Sequence, residues 1–567
     1  MTPIQISRYS FLFLLLFCLQ AISAQAYPVD PVYHNLRSNN DLLAYRLKVR
    51  INPEKRWIGG ENAIRLRMLK SAKAIQLDLD TPMKLTQILL EGNPLTFIRK
   101  ERAVIVKFPE KIKKGKELEL ICHFEGHPQT AKKAPWDGGF VWEKDSLGNP
   151  WIGLACEGDG ASIWFPCKDQ WKDEPEKLLL SIEVPQGLTA VGNGRMLGSE
   201  RLPDAYERFD WEVKNPINHY DITVNVGKYA HIHETFKQAS GDLNLDYYVL
   251  EYHLEQAKNH FRQVEQMQRC FSYWFGPYPF QEDGYKLVET PYWGMEHQSC
   301  VAYGNNFKNN PFGFDFIIIH ESGHEWFANS VTASDRSDMW IHEGFTTYSE
   351  AVYVECQAGP ERSKAYLKSQ RGNIKNQFPI LGKRDLGHHA KDNDQYYKGS
   401  WILHTLRNHL QNDTLWQNTL HDFALEFRHK TIETADVVAF FSKRCRQDLS
   451  SFFKNYLEYA DLPVLEYYVL NKNEVNELHF RLKSNDGKLK LQLQLRTAKD
   501  RFESVIAGPG WEIIDLPYAD IKHFAIKPDM FLVEMRERGE GEGEGERGER
   551  EGEGEREGER EREREGD

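Results

Sequence analysis

His320 and His324 stand four residues apart in the stretch Phe316-Ile317-Ile318-Ile319-His320-Glu321-Ser322-Gly323-His324. On a helix, four residues at about 100° each return to within about 40° of the start, so both imidazoles can reach one ion. Glu321 lies between them and can take the proton of an attacking water. This is the His-Glu-x-x-His arrangement of a hydrolytic zinc site. Such a zinc takes three protein ligands and keeps one position open. Glu343, in Trp340-Ile341-His342-Glu343-Gly344-Phe345, is the candidate third ligand: the chain between His324 and Glu343 is long enough to finish one helix, turn and return on a second. Glu350 is seven residues past Glu343 and shares its helix face, where it either hydrogen-bonds a ligand histidine from behind or stands as a surface carboxylate.

The pentapeptide alone is a modest signal in a chain with 20 histidines. The longer pattern carries more. His-Glu-Ser-Gly-His followed by Glu343, with Trp-Phe-Ala-Asn-Ser-Val-Thr between and Glu-Gly-Phe-Thr-Thr-Tyr-Ser-Glu after, resembles the aminopeptidase N family of gluzincin zinc metallopeptidases. Gly294-Met295-Glu296-His297 resembles that family's exopeptidase motif, and Phe275-Gly276-Pro277-Tyr278-Pro279 precedes it as in relatives. Tyr396-Tyr397-Lys398-Gly399 is similar to the family's Tyr-x-Lys-Gly, and the stretch from Cys156 to Asp169 resembles the β-domain segment that reaches the active site.

The resemblance implies one zinc ion on His320, His324 and Glu343, and hydrolysis of the N-terminal peptide bond through a zinc-activated water with Glu321 as general base. It implies that Glu296 and Glu157 bind the substrate's free α-amine, with Gly294 and Met295 beside them. Tyr396, rather than its neighbour Tyr397, would donate a hydrogen bond to the developing oxyanion. Four positions depart from the pattern: Trp293 stands where relatives usually have Gly, His297 and His342 where they have Asn, and Ser162 where many have Arg. They leave the catalytic set intact and bear on the shape of the substrate pocket. A zinc endopeptidase, an epoxide hydrolase of the same fold and a non-enzymatic peptide-binding protein are the alternatives. The first needs neither Glu296 nor Glu157, and the last would be expected to have lost Glu321 or a ligand.

The elements that must position these residues show in the hydrophobic period. Tyr45, Leu47, Val49 and Ile51 alternate with polar residues, as do Ile64, Leu66 and Met68, and Ile75, Leu77 and Leu79. Period two with Gly and Pro breaks predicts an antiparallel β domain over 27–235. Helical spacing then dominates, as in Ile402, Leu403, Leu406 and Leu410, which predicts a mainly helical, thermolysin-like catalytic domain over 236–462. Strands return over 463–535, where Leu478, Phe480 and Leu482 lead into Asn485-Asp486-Gly487 and Leu489, Leu491, Leu493 and Leu495 lead out, the pattern of a hairpin. The fold class is therefore multidomain α+β, in a form shorter than many relatives and without their large helical C-terminal domain.

Arg536 to Asp567 is Gly, Glu and Arg with one closing Asp; it has nothing apolar to bury and is expected to be a disordered tail. Net charge is −12, much of it in that tail, and no basic patch suggests nucleic acid. Arg8, the apolar run Phe11 to Phe17 and Ala24-Gln25-Ala26 read as a cleaved signal peptide over 1–26, so the protein is expected to be exported, periplasmic or secreted. No later stretch is apolar enough to span a bilayer. The expected partners are peptides with a free N-terminus. Cys156 and Cys167 are close in sequence, and are either bridged, as export would permit, or two buried thiols.

Overall fold

The computed structural model describes residues 35–538 apart from 239–240, 385–391, 473–474, 499–500, 518–524 and 528. Residues 1–26, read from the sequence as a signal peptide, and all but the first three residues of the Gly/Glu/Arg tail lie outside this range.

The N-terminal region is built of strands. Asn40–Asn52 pairs antiparallel with Trp57–Met68 and parallel with Lys177–Pro185, at the centre of an eight-stranded sheet. Its alternating residues Tyr45, Leu47, Val49 and Ile51 are all buried, because alternate side chains of a strand point to one face. A three-stranded sheet and a four-stranded sheet complete this region. Within the four-stranded sheet, strand Pro150–Ala155 pairs with Gly139–Lys144 and Val224–Gly227 and delivers the chain into the loop carrying Glu157.

The period-two pattern does not stop where the second domain begins. Tyr229–Phe236 pairs with Leu243–Leu250, and this hairpin continues through Tyr285–Glu289 and Val301–Tyr303 to the edge strand Gly294–Met295 in one five-stranded sheet. A boundary at 235/236 therefore cuts through a hairpin, and strand Tyr229–Phe236 belongs with the catalytic region. Helices follow: Phe316–Gly323, Trp340–Ala358, Pro360–Gln370, Asp394–Leu410 and three more before the C-terminal strands. Cys270 and Cys356 form a disulfide that ties helix Gln263–Phe275 to the end of helix Trp340–Ala358. Cys156 and Cys167 are free, buried thiols, which settles the choice left open by their spacing.

The C-terminal region holds a four-stranded and a three-stranded sheet. Val475–Lys483 pairs with Val464–Lys472 and Glu512–Pro517, whereas Leu491–Ala498 pairs with Arg501–Ala507 and Ala525–Ile526. The turn at Asp486-Gly487 thus carries the chain from one sheet to the other and does not close a hairpin. Both leucine rows are buried in the shared core, so the alternation is right and only the pairing differs. Strand Glu534–Glu537 pairs with Val464–Lys472, and Arg538 donates to the buried Glu466 at 3.1 Å. The folded part therefore runs past Arg536, where composition alone starts the tail. Among the described residues no helix is long and apolar enough to cross a membrane.

Candidate metal centre and active site

The helix Phe316–Gly323 begins on Asp315, whose carboxylate accepts the free backbone N–H groups of Ile317 and Ile318 at 3.0 and 3.4 Å. The same carboxylate accepts from His260 at 2.7 Å and from Tyr303 at 2.8 Å. This network fixes the helix start, and one turn later His320 and His324 emerge on the same side. Helix Trp340–Ala358 crosses it and brings Glu343 to them from its first turn. His320 Nε2 lies 3.3 Å from His324 Nε2, and Glu343 Oε2 lies 3.6 and 3.4 Å from the two nitrogens.

The far side of each imidazole is taken. His320 Nδ1 donates to Glu350 Oε1 at 2.6 Å, and Glu350 is held in turn by Tyr366 and by Gln370 at 3.0 Å. His324 Nδ1 donates to the Phe327 carbonyl at 3.0 Å, with the Thr346 hydroxyl 3.1 Å away. Engaging Nδ1 leaves each Nε2 lone pair aimed at the gap between the three residues. Glu343 Oε2 is buried with no hydrogen bond of its own. Donors spaced in this way match the edges, about 3.3–3.6 Å, of a tetrahedron with metal–ligand distances of about 2.0–2.2 Å. His320, His324 and Glu343 therefore fit a zinc ion. Burial works to raise the Glu343 carboxyl, but His324 and His320 beside it outweigh that and hold it well below the usual carboxylate range.

Glu321 is buried next to this cluster. Burial, with Glu296 adding, raises its carboxyl to about 7, while His320 and His324 oppose the shift. A Cβ on Gly294 would come within 2.7 Å of Glu321 Oε1, so only glycine lets the edge strand lie this close to the carboxylate. Beyond Gly294 and the buried Met295, Glu296 faces the histidines; Tyr220 donates to its Oε1 at 3.3 Å. Glu157 arrives from the N-terminal region with a buried Oε1 that has no partner. Burial first, then the charge of Glu296, pushes the Glu157 carboxyl well above its ordinary range.

Tyr396 stacks over His320 with ring centroids 6.2 Å apart. Burial, then Glu343 and Glu157, holds its phenol well above the ordinary range, so it stays protonated as a donor. Its neighbour Tyr397 lies on the Glu350 side, behind the ligand histidine. Gly399 explains how the tyrosine gets there. Its Cα meets a Cβ built on Gly344 at 3.0 Å, so helix Asp394–Leu410 and helix Trp340–Ala358 touch backbone to backbone one residue after Glu343. Lys398 serves the same packing, donating to the carbonyls of Tyr459 and Ala460 at 3.1 and 2.9 Å.

Of the departures from the family pattern, His342 accepts from the Ala333 backbone N–H at 2.8 Å and stacks on Trp171 at 4.9 Å. Ser162 donates to Asp169 at 2.6 Å. His297 is fully buried, and burial depresses its imidazole to about 3. Sequence reasoning missed Arg336, which donates to the carbonyls of Glu157 and Gly158 and so clips the N-terminal loop to the metal-binding region. It also missed Tyr220 and Tyr366, the partners of Glu296 and Glu350. No spacing rule points to any of the three, because each reaches the site from a different element.

A buried His-His-Glu cluster with an adjacent glutamate, set under a β-domain loop, is a donor set that could hold a metal ion beside a free carboxylate. Residues 298–456 match the family model described as Peptidase family M1 domain. The chain is 24% identical to Aminopeptidase B of Rattus norvegicus, over 69% of its own length and 62% of that protein's. It is 25% identical to Aminopeptidase N of Streptomyces lividans, over 50% of its own length and 35% of that protein's. It is 23% identical to Endoplasmic reticulum aminopeptidase 1 of Mus musculus, over 50% and 32%. The chain thus spans less than two thirds of these curated relatives. The fold of an M1 zinc metallopeptidase from Deinococcus radiodurans, solved as a mutant bound to a Tyr-Ser-Ala substrate, superposes with a TM-score of 0.64. That likeness covers 75% of this chain and 95% of the other at 19% identity. Together these findings make the chain similar in sequence and fold to the aminopeptidase N (M1) family of zinc metallopeptidases. That family's metal is a single zinc.

Proposed function

We propose that the chain is a zinc-dependent metalloaminopeptidase that removes the N-terminal residue of peptides. The observation that carries this reading is the placement of Glu296 and Glu157, two buried carboxylates from different regions, beside the metal cluster and Glu321. An endopeptidase has no use for paired carboxylates at that end of the cleft. An α-ammonium supplies the positive charge that they lack.

The chemistry a zinc ion supplies when held by His320, His324 and Glu343 is polarisation of the scissile carbonyl and a more acidic attacking water. Glu321 accepts the proton of that water as its oxygen bonds to the carbonyl carbon, and delivers a proton to the nitrogen as the C–N bond breaks. Tyr396 donates to the oxygen on which negative charge develops. Glu296 and Glu157 hold the amine and so set which bond lies over Glu321.

Hydrolysis of an aminoacyl anilide, with and without chelator and beside its N-acetylated form, tests the reading. Chelator-sensitive cleavage of the free-amine substrate alone is expected; equal cleavage of the blocked form would make the protein an endopeptidase, and no cleavage of either would leave a binding protein. Export belongs to the same proposal. The Cys270–Cys356 bridge supports it, since such bonds persist in oxidising compartments. N-terminal sequencing of the protein from medium or periplasm should find the first 24 to 26 residues gone, and an intact Met1 would count against it.

A further inference from the structure

From the zinc-ligand helix a row of aromatic rings leads outward to solvent. Phe316 stacks on His320 at 5.1 Å, Trp293 stacks on Phe316 at 5.5 Å, and Trp136 lies 6.0 Å from Trp293. Lys133 Nζ covers the outer ring at 4.9 Å. Trp136 is 65% exposed and Trp293 42% exposed, although rings of this size are usually covered. Trp293 is also fixed in place. Its indole N–H donates to Asn305 at 3.1 Å, and Asn305 donates to Asp315, the cap of the His320 helix, at 2.9 Å. The polar edge of the indole is thereby satisfied within the protein, while the ring, stacked on Phe316, stays partly open to solvent.

The edge strand gives this row a direction. Among the described residues Gly294–Met295 pairs only with Val301–Tyr303 and ends the sheet, so its other side can pair with an extended peptide. Glu296 stands at one end, Gly294 touches Glu321 in the middle, and Trp293 stands at the other end. In the aminopeptidase reading, on which this inference rests, the α-amine sits at Glu296 and the first carbonyl at Glu321. The rest of the substrate must then run toward Trp293. Three residues of strand cover about 10 Å, which brings the second and third residues of the peptide alongside Trp293 and Trp136.

We propose that Phe316, Trp293 and Trp136 form a shelf that recognises an aromatic or large apolar side chain at the second or third residue of the peptide, on the leaving side of the cleaved bond. The two tryptophans come from different regions, so the shelf is built by the N-terminal region and the catalytic one together. The Gly that relatives carry at position 293 could not supply it.

The test compares kcat/KM for Ala-Ala-Ala, Ala-Phe-Ala and Ala-Ala-Phe in the wild-type protein and in Trp293→Gly, Trp136→Ala and Trp293→Phe, together with Kd for the same peptides in Glu321→Gln read by tryptophan fluorescence. The wild type should favour one of the phenylalanine peptides by about tenfold, the scale of one or two well-formed ring contacts. Trp293→Gly should bring that ratio close to one, Trp136→Ala should lower it, and Trp293→Phe should keep most of it. Equal kcat/KM for the three peptides in the wild type, or a preference that survives Trp293→Gly, would overturn the shelf while leaving the aminopeptidase reading intact. If the wild type cleaves none of them, that reading falls, and the Kd values decide: tighter phenylalanine peptides sustain the shelf, and equal values remove it.

Discussion

Replacing Glu296 by Ala should cost the enzyme its hold on the substrate's amine without touching its metal. Glu296 is buried, accepts one hydrogen bond from Tyr220 and faces a second carboxylate, Glu157, whose buried Oε1 has no hydrogen-bond partner among the described residues. An α-amine with an unperturbed pKa near 8 is largely charged at neutral pH. Docked here it would satisfy both carboxylates and cancel part of their mutual repulsion. A charge-assisted hydrogen bond of this kind is worth about 1.5–3 kcal/mol, and tenfold in rate corresponds to about 1.4 kcal/mol. Glu296→Ala should therefore lower kcat/KM for free-amine peptides by about ten- to 150-fold. Glu157→Ala should do the same less strongly, since it arrives on a loop held by Arg336.

The assay is the ratio of kcat/KM on matched free and N-acetylated peptides, with zinc content measured on the same samples. Wild type should show a large ratio and Glu296→Ala a much smaller one, at unchanged zinc. If the substitution slows both substrates alike, Glu296 only supports the fold of the edge strand, and amine recognition must lie elsewhere. If zinc is lost together with activity, Glu296 helps to hold the metal, since its carboxylate lies within 4.8 Å of a ligand nitrogen of His324.

Other consequences are as direct. His324→Ala should abolish stoichiometric zinc, and Glu350→Gln should weaken zinc binding by about ten- to a hundredfold through His320, both read by elemental analysis and chelator competition. Acid should destabilise the protein through buried neutral histidines: burial depresses both His219 and His404 to about 4. The unfolded chain takes up their protons first, so stability falls as pH drops from about 6.5 toward 4, by roughly 3 kcal/mol per group when complete; His219→Gln should flatten the fall of Tm between pH 7 and 4.5, and an unaltered slope would refute the assignment. Truncation after Arg538 should leave activity and Tm unchanged. Truncation after Val533 should lower stability by about 1–3 kcal/mol, because it strips strand Glu534–Glu537 and leaves the buried Glu466 with Arg481 alone.

What the sequence could and could not disclose follows from how each residue is placed. His320, His324, Glu343 and Glu350 sit on two helices, where a fixed rotation per residue converts spacing into direction, so their meeting can be argued from numbers alone. Glu296, Glu157 and Tyr396 meet through a sheet edge, an inter-domain loop and a glycine-to-glycine helix contact, none of which leaves a local period. Only likeness to a family singled them out. The strand pattern has the same limit: alternation reports which face is buried and says nothing of the neighbour. For that reason Val475–Lys483 and Leu491–Ala498 read as partners though they lie in different sheets, and Tyr229–Phe236 reads as part of the N-terminal domain though it pairs into the catalytic sheet. The Cys270–Cys356 bridge, 86 residues apart, was hidden by the same topology.

The placement of Tyr229–Phe236 also bears on how the site is held. The sheet that ends on Gly294–Met295 begins on that strand, so the edge facing Glu321 is continuous with the chain leaving the N-terminal region. Arg336 makes a second tie, from the turn before the Glu343 helix to the carbonyls of the Glu157 loop. Two covalently distant segments are thereby locked to the catalytic elements on either side of the cleft, one bearing Glu296 and the other Glu157. In the proposed aminopeptidase, these ties set the distance between the Glu296 and Glu157 carboxylates and Glu321, and that distance decides which peptide bond is cut.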